Sequence, residues 1–375
     1  MRIFLALSLL ASCNKIYEGD AFDDASAADA MPGGKADDGD QTGALAPWSV
    51  SRHVFFSRQL DEDTRARIEE DLDLIAELGA RYVRTDLWWY AAQPTPDRFD
   101  DAVLAHYRWY VLAAERRGIG VIAIASNPPD WARHLYDSGE RDEYAAAFGR
   151  YTERMAVEIG DLVTYYQLSN EPNHVIDFPD SDADVQLFVE GRAGLERGRA
   201  QIGAAVPMRT IVNVLVDGHD SPIGPRWEDD VRFYMTHGAA GAIDVVAIDH
   251  YPGTWSIGDW GGNIVDRLFG VGAEHGVAVA IGEIGYANAR CAPPFNTEGG
   301  QVGWIREQLP RLRAKLADPA VTGGARLEFA NWFKLDDRNS GNCFDPEDNF
   351  GVVHTDRSAK PAFEALRGEI AKFAP

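Results

Sequence analysis

Positive charge is in short supply. The chain carries 36 Lys and Arg against 59 Asp and Glu, a net charge of −23. A surface of that sign repels nucleic acid and anionic lipid, so neither is an expected partner. Long apolar runs are missing as well, and none reaches the about 20 residues that a membrane-spanning helix needs. Cysteine is scarce, with three in 375 residues, at positions 13, 291 and 343. Three functional signatures are absent too. Residues 50–59 hold no glycine, which argues against a nucleotide-binding loop after the first strand of an open doubly wound sheet. No Gly-x-Ser-x-Gly elbow offers a serine nucleophile. No His-x-His closes the first apolar run, so metal-dependent barrel chemistry has little support; no metal and no cofactor are expected.

What is present is a long alternation. Strands are predicted over 48–56, 82–87, 120–125, 162–170, 209–216, 245–250, 277–283 and 326–333. Helices are predicted between and after them, over 61–78, 101–117, 141–159, 182–203, 226–237, 261–275, 300–316 and 360–373. The first helix shows the logic: Ile68, Leu72, Ile75 and Leu78 share one face, and Gly79 ends it. Eight strand–helix units with uniformly apolar strands predict a single closed parallel (β/α)8 barrel spanning residues 47–375, with a doubly wound sheet as the alternative.

The first 46 residues stand apart. Ile3 to Leu10 is a short apolar core, and Leu10-Ala11-Ser12-Cys13 resembles the lipobox of bacterial lipoproteins. That resemblance implies a signal peptide over 1–12, lipid on Cys13, and an exported protein, either a cell-envelope lipoprotein or a secreted one. An N-terminal lipid would be its sole membrane contact. Residues 13–46 are rich in Ala, Asp and Gly without a period, which predicts an acidic, disordered tether. With Cys13 lipidated, Cys291 and Cys343 remain as a pair in an oxidising compartment, and a disulfide between them is expected.

In such a barrel the reacting groups sit at the carboxyl ends of strands. Pro172 cannot donate to a sheet ladder, so the fourth strand should stop at Asn170-Glu171. The seventh strand ends in the same way, at Gly282-Glu283. Other predicted strand ends supply Arg84, Trp88, Trp131, His250, Tyr251 and Trp332. Flat aromatics can cover the apolar C–H faces of sugar rings, and neutral donors can bond the hydroxyls. Two carboxyl groups then suffice to cleave a glycosidic bond.

Asn170-Glu171-Pro172, Gly282-Glu283-Ile284-Gly285 three strands later, Asp249-His250-Tyr251-Pro252, Trp332 and the tail Asn349 to Val353 with Lys360 to Phe363 together resemble the large clan of retaining (β/α)8 glycoside hydrolases that includes the cellulase family. The likeness runs from Trp48 to Phe373. It implies that Glu171 is the general acid/base and Glu283 the nucleophile. It also implies that Asn170 bonds the substrate 2-hydroxyl, that Tyr251 bonds Glu283, that Trp332 floors the cleavage subsite, and that Arg84 supports the nucleophile by charge. One departure stands out: His250 and Tyr251 are adjacent, whereas the clan spaces them His-x-Tyr. The expected substrate is a β-linked oligo- or polysaccharide, and the expected state is a monomer. A non-catalytic surface carbohydrate-binding protein and a transglycosylase are alternatives on the same barrel.

Overall fold

The structure is a computed structural model that describes residues 45–54, 56–174, 181–217, 221–289, 291, 296–338 and 342–373. The signal peptide, Cys13 and nearly all of the tether lie outside the described residues. The unit from Asp40 onward is a closed barrel of eight parallel strands in sequential order. They are β1 (Trp48–Ser51), β2 (Tyr82–Trp88), β3 (Gly120–Ser126), β4 (Tyr165–Leu168), β5 (Arg209–Leu215), β6 (Val245–His250), β7 (Ala278–Ile284) and β8 (Leu327–Trp332). β8 pairs back onto β1, with Val50 opposite Trp332. The expected (β/α)8 class is therefore the observed one.

Local chemistry explains the crossover helices. Asp61 caps the helix Glu62–Glu77 by accepting from the Thr64 amide. Asp100 accepts from the amides of Ala102 and Val103 ahead of the helix Asp101–Glu115. Thr297 does the same for Glu298–Leu316 through Gly300. Each satisfies a donor that a helix start leaves free. Gly276, in the left-handed region, ends Ile264–His275, as glycine does at little cost.

Two strands are shorter than expected. Leu162 and Val163 bond back to Ile159 at the end of the preceding helix, so β4 starts three residues late. β1 stops at Ser51 rather than residue 56. Three short helices escaped the sequence reading: Trp89–Ala92 and Asp130–Asp137 in loops after strands, and Pro319–Thr322 in the connection before β8. No helix among the described residues is long and apolar enough to cross a membrane.

The pleat sorts the strand side chains. Val212, Val214, Val246, Ile248 and Ile281 face the helices in the main core. Ile122, Ile211, Val245, Ala247, Ala280 and Phe329 fill the barrel interior. Above that apolar plug lies a polar layer of Ser51, Arg84, Gln167, Asn213, Asp249 and Asn331, each no more than 1% exposed. This layer is the floor of the site. Cys291 and Cys343 form a disulfide, which ties the loop after β7 to the loop after β8.

Candidate active site

Five strands, β2, β4, β5, β6 and β7, converge on one point at the carboxyl end of the barrel. The fourth supplies Glu171 through a backbone turn: Ser169 has φ +70° and Glu171 φ +44°. Side-chained residues rarely occupy that region, and such conformations recur at functional sites. The Glu171 amide donates to Asn213 Oδ1 at 3.1 Å, which anchors the turn on β5.

Glu283 reaches the interior by a different device. The β6–β7 register slips at this point, with Ile248 opposite Ile281 but Asp249 opposite Glu283. Regular alternation from Ala280 would point Gly282 inward and Glu283 outward. The bulge turns both inward. Gly282 must lack a side chain, because a Cβ there would lie 2.4 Å from Asp249 Oδ1.

Arg84 organises the floor. Its Nη1 donates to Glu283 Oε1 at 2.6 Å, Nη2 to Asn170 Oδ1 at 2.8 Å and Nε to Gln167 Oε1 at 2.8 Å. The Tyr251 hydroxyl donates to the other oxygen of Glu283. Gln167 Nε2 also donates to Asn170 Oδ1 at 3.0 Å and Asn213 Oδ1 at 2.8 Å. Asn213 Nδ2 donates to Asn170 Oδ1 at 3.1 Å and Asp249 Oδ2 at 2.5 Å. The network fixes Asn170 and both glutamates on a scaffold of β-strands.

Glu171, Asp249 and Glu283 each bring one oxygen within 4.8 Å of the others. Burial, then the Asp249 charge, then Glu283 push the Glu171 carboxyl well above the usual range. Burial and Asp249 push Glu283 in the same direction, while Arg84 pulls it back. Burial lifts Asp249 to about 6, against the pull of Arg84 and Asn213. Of the three, Glu283 has the guanidinium and the phenol on it, the two contacts that favour its ionised form. Three carboxyl groups could in principle hold a cation, but both Glu283 oxygens already accept bonds and Arg84 fills the adjacent space with positive charge. The donor set does not fit a metal.

The structure sorts the remaining candidate residues. Tyr251 stands on Glu283, so the position two before it is Asp249, not a histidine. His250 alternates to the other side of β6, where Nδ1 meets Asp217 Oδ1 at 2.7 Å and the ring packs 5.0 Å from Trp260. It does not reach the carboxyl groups, and the expectation of a substrate contact is corrected. Trp332 is likewise corrected. It is fully buried, in the core between barrel and helices, 6.0 Å from Trp304, and has no free face for a sugar. Strand alternation gives the mouth to its neighbour Phe333, which packs 5.6 Å from His53 and 5.9 Å from Tyr251. Trp131 donates its indole N–H to the Gln93 carbonyl at 3.1 Å and meets Trp89 edge-on at 5.6 Å. Those contacts tie it to the short helix after β2 rather than to the carboxyl groups. Trp88 lines a recess of about 270 Å³ with Phe56, Tyr90 and Pro94.

Asn213, and the part Asp249 plays beside Glu171, were missed from sequence, whereas His53, Asp86 and Trp255 were expected near the rim. Asn213 and Asp249 are single polar residues near the ends of uninterrupted apolar strands, and that pattern was a readable signal. Trp255 is 42% exposed and its ring lies 4.5 Å from Tyr251, which makes it an open aromatic beside the tyrosine that bonds Glu283. The pair His53 and Asp86, 2.5 Å apart, marks the β1–β2 side of the mouth.

Fold and site together define a (β/α)8 barrel with an acidic centre at the carboxyl ends of its strands. No family model matches the chain, and no curated protein matches its sequence. Solved structures do match its fold. An apo β-glucosidase 1317 is 16% identical, with 84% of this chain and 89% of that one covered and a TM-score of 0.61. A family 39 glycoside hydrolase from Bacteroides cellulosilyticus WH2 is 17% identical over 89% of this chain and 65% of its own, also at 0.61. A family 1 β-glucosidase from Thermotoga maritima is 16% identical over 88% and 98%, at 0.62. At these identities the likeness establishes the fold.

Proposed function

We propose that the chain is a retaining O-glycoside hydrolase acting on β-linked oligo- or polysaccharide. Glu171 is its general acid/base, Glu283 its nucleophile. The observation that carries this reading is the pairing of two strand-end glutamates with different partners: burial and Asp249 raise both, and Arg84 opposes the rise at Glu283 alone. Glu283 has Arg84 on one oxygen and Tyr251 on the other, as an ionised nucleophile requires. Glu171 has like charges around it and holds its proton. A cation and a phenol on one carboxyl group and neither on the other distinguish the nucleophile from the acid. One oxygen of each lies within 4.8 Å of the other, an approach that favours the shorter carboxyl separation of retaining pairs, about 5–5.5 Å, over the about 6.5–9.5 Å of inverting ones. The glycosidase neighbours of the same fold agree with it.

In the first step a Glu283 oxygen bonds the anomeric carbon, and the leaving oxygen takes both the bond's electron pair and the Glu171 proton. In the second, Glu171 takes a proton from water, the water oxygen bonds the anomeric carbon, and Glu283 departs. Asn170, held by Arg84, Gln167 and Asn213, is the bonding partner for the 2-hydroxyl. Trp255 is a stacking surface at the open side. Transfer to a second sugar uses the same residues with a hydroxyl in place of water. The proposal includes export, with lipid on Cys13; loss of radiolabelled palmitate in Cys13→Ser tests that part.

Aryl β-glycosides with good and poor leaving groups test the assignment. Glu283→Gln should lose turnover on every substrate. Glu171→Gln should lose it mainly on poor leaving groups, which need the acid, and azide should restore part of the turnover on good ones. Near-normal hydrolysis by Glu283→Gln, or none by the native chain over a broad panel, would refute the proposal.

A further inference from the structure

The polar floor contains an oxygen that the reaction above does not use. Asp249 is fully buried. Its Oδ2 accepts from Asn213 at 2.5 Å, but no N–H or hydroxyl donor among the described residues reaches Oδ1. The bare Cα of Gly282 faces that atom. A buried carboxylate oxygen without a donor is costly. The group beside it is Glu171, one of whose carboxyl oxygens lies within 4.8 Å of an Asp249 oxygen. Two carboxylates cannot bond each other; a carboxyl and a carboxylate can.

We propose that Asp249 is a positioning residue that shares one proton with Glu171, fixing the orientation of the acid and keeping it loaded while Glu283 is ionised. The inference rests on the glycosidase reading and deepens it. At rest the pair carries one proton and one negative charge. When the leaving oxygen arrives it takes that proton from Glu171, and the pair becomes doubly negative. The second step returns a proton from water to Glu171, and the shared bond re-forms. The charged or titratable groups around the pair are Arg84 on β2, Tyr251 after β6, Glu283 on β7 and Glu347 from the loop after β8. Arg84 is bonded to Glu283, so it leaves the proton with the pair.

Asp249→Asn tests the sharing. Its amide oxygen can still accept from Asn213, and its amide nitrogen then donates to Glu171, so every bond in the floor is satisfied. An N–H donor stabilises ionised Glu171, and a like charge is removed. Both effects lower the proton affinity of the acid. The alkaline limb of kcat/KM should move down by one pH unit or more, a tenfold loss of proton affinity. kcat should recover toward the native value on the acid side, with KM little changed. A merely structural role would lower activity at all pH values and leave the limb in place.

A second readout needs no turnover. In protein labelled with 13C at the Glu and Asp carboxyl carbons, NMR titration should show Glu171 ionising at lower pH in Asp249→Asn. Asp249 should ionise at higher pH in Glu171→Ala, which removes the donor that stabilises its carboxylate, and this covers the case in which the first variant does not fold. Unchanged titration of Glu171 in Asp249→Asn, or of Asp249 in Glu171→Ala, overturns the inference. A native chain that hydrolyses nothing but shows these coupled shifts would refute the glycosidase reading and leave the shared proton standing.

Discussion

Replacing Arg84 with glutamine separates the role of charge from that of shape. Arg84 is 1% exposed and donates to Glu283 at 2.6 Å, Asn170 at 2.8 Å and Gln167 at 2.8 Å. Opposite unit charges about 4 Å apart attract by about 4 kcal/mol at an effective dielectric of about 20. That corresponds to about 3 pKa units. Glu283 is already lifted by burial and by Asp249, with Arg84 opposing them. Without the guanidinium it should be protonated at neutral pH and unable to attack. In Arg84→Gln, kcat/KM on an activated aryl β-glycoside should fall on the order of a thousandfold at neutral pH. Its acid limb should move upward by two units or more, with part of the activity returning in alkali. Arg84→Lys keeps the charge but loses the fork that spans Glu283, Asn170 and Gln167, so its acid limb should stay near the native position while its kcat falls. An Arg84→Gln profile with an unmoved acid limb would refute the claim that this guanidinium keeps the nucleophile ionised.

Three further outcomes follow from the packing. Asp71 is fully buried and receives both Arg52 at 2.7 Å and Arg357 at 2.7 Å; Asp71→Ala should destabilise the fold by about 3–5 kcal/mol in urea, and a loss below about 1 kcal/mol would contradict the pairing. The Cys291–Cys343 bridge closes a separation of 52 residues, so replacing both cysteines with serine should cost about 4 kcal/mol on the chain-entropy estimate; equal urea midpoints for the native chain and the double variant would count against it. Trp255→Ala should raise KM for oligosaccharides while leaving kcat on a small aryl glycoside near native, since the ring stands open beside Tyr251 rather than on the reacting atoms; a loss confined to kcat would remove it from the substrate surface.

The barrel was legible because apolar strands and amphipathic helices repeat at regular spacing, and because Pro172 and the second glutamate mark strand ends. Glu171, Glu283, Arg84, Asn170 and Tyr251 were readable as one group, and the structure brings them together. His250 and Trp332 were misread for one reason. Each lies next to a residue that does face the mouth, Asp249 or Tyr251 in one case and Phe333 in the other. A strand alternates sides at every residue, so a shift of one position reverses the side. The bulge at Gly282 is a second case: it turns Glu283 inward against the alternation, and the isolated glycine within the strand was its one sign. Asp249 was visible as a polar residue ending an apolar strand, but its meaning depends on Glu171, which arrives from two strands away. Trp131 shows the limit of composition: an indole near a strand end serves packing when a backbone carbonyl lies within reach.

The central claim is that Glu283 attacks the sugar carbon. The most direct measurement incubates the native chain with activated 2-deoxy-2-fluoro β-glycosides, whose fluorine slows release of the intermediate, and follows intact mass and peptides. One glycosyl group per chain, on the peptide that carries Glu283 and absent in Glu283→Gln, is the expected result. Steady hydrolysis of the parent glycosides with no adduct, or an adduct on any other carboxyl group, would contradict it.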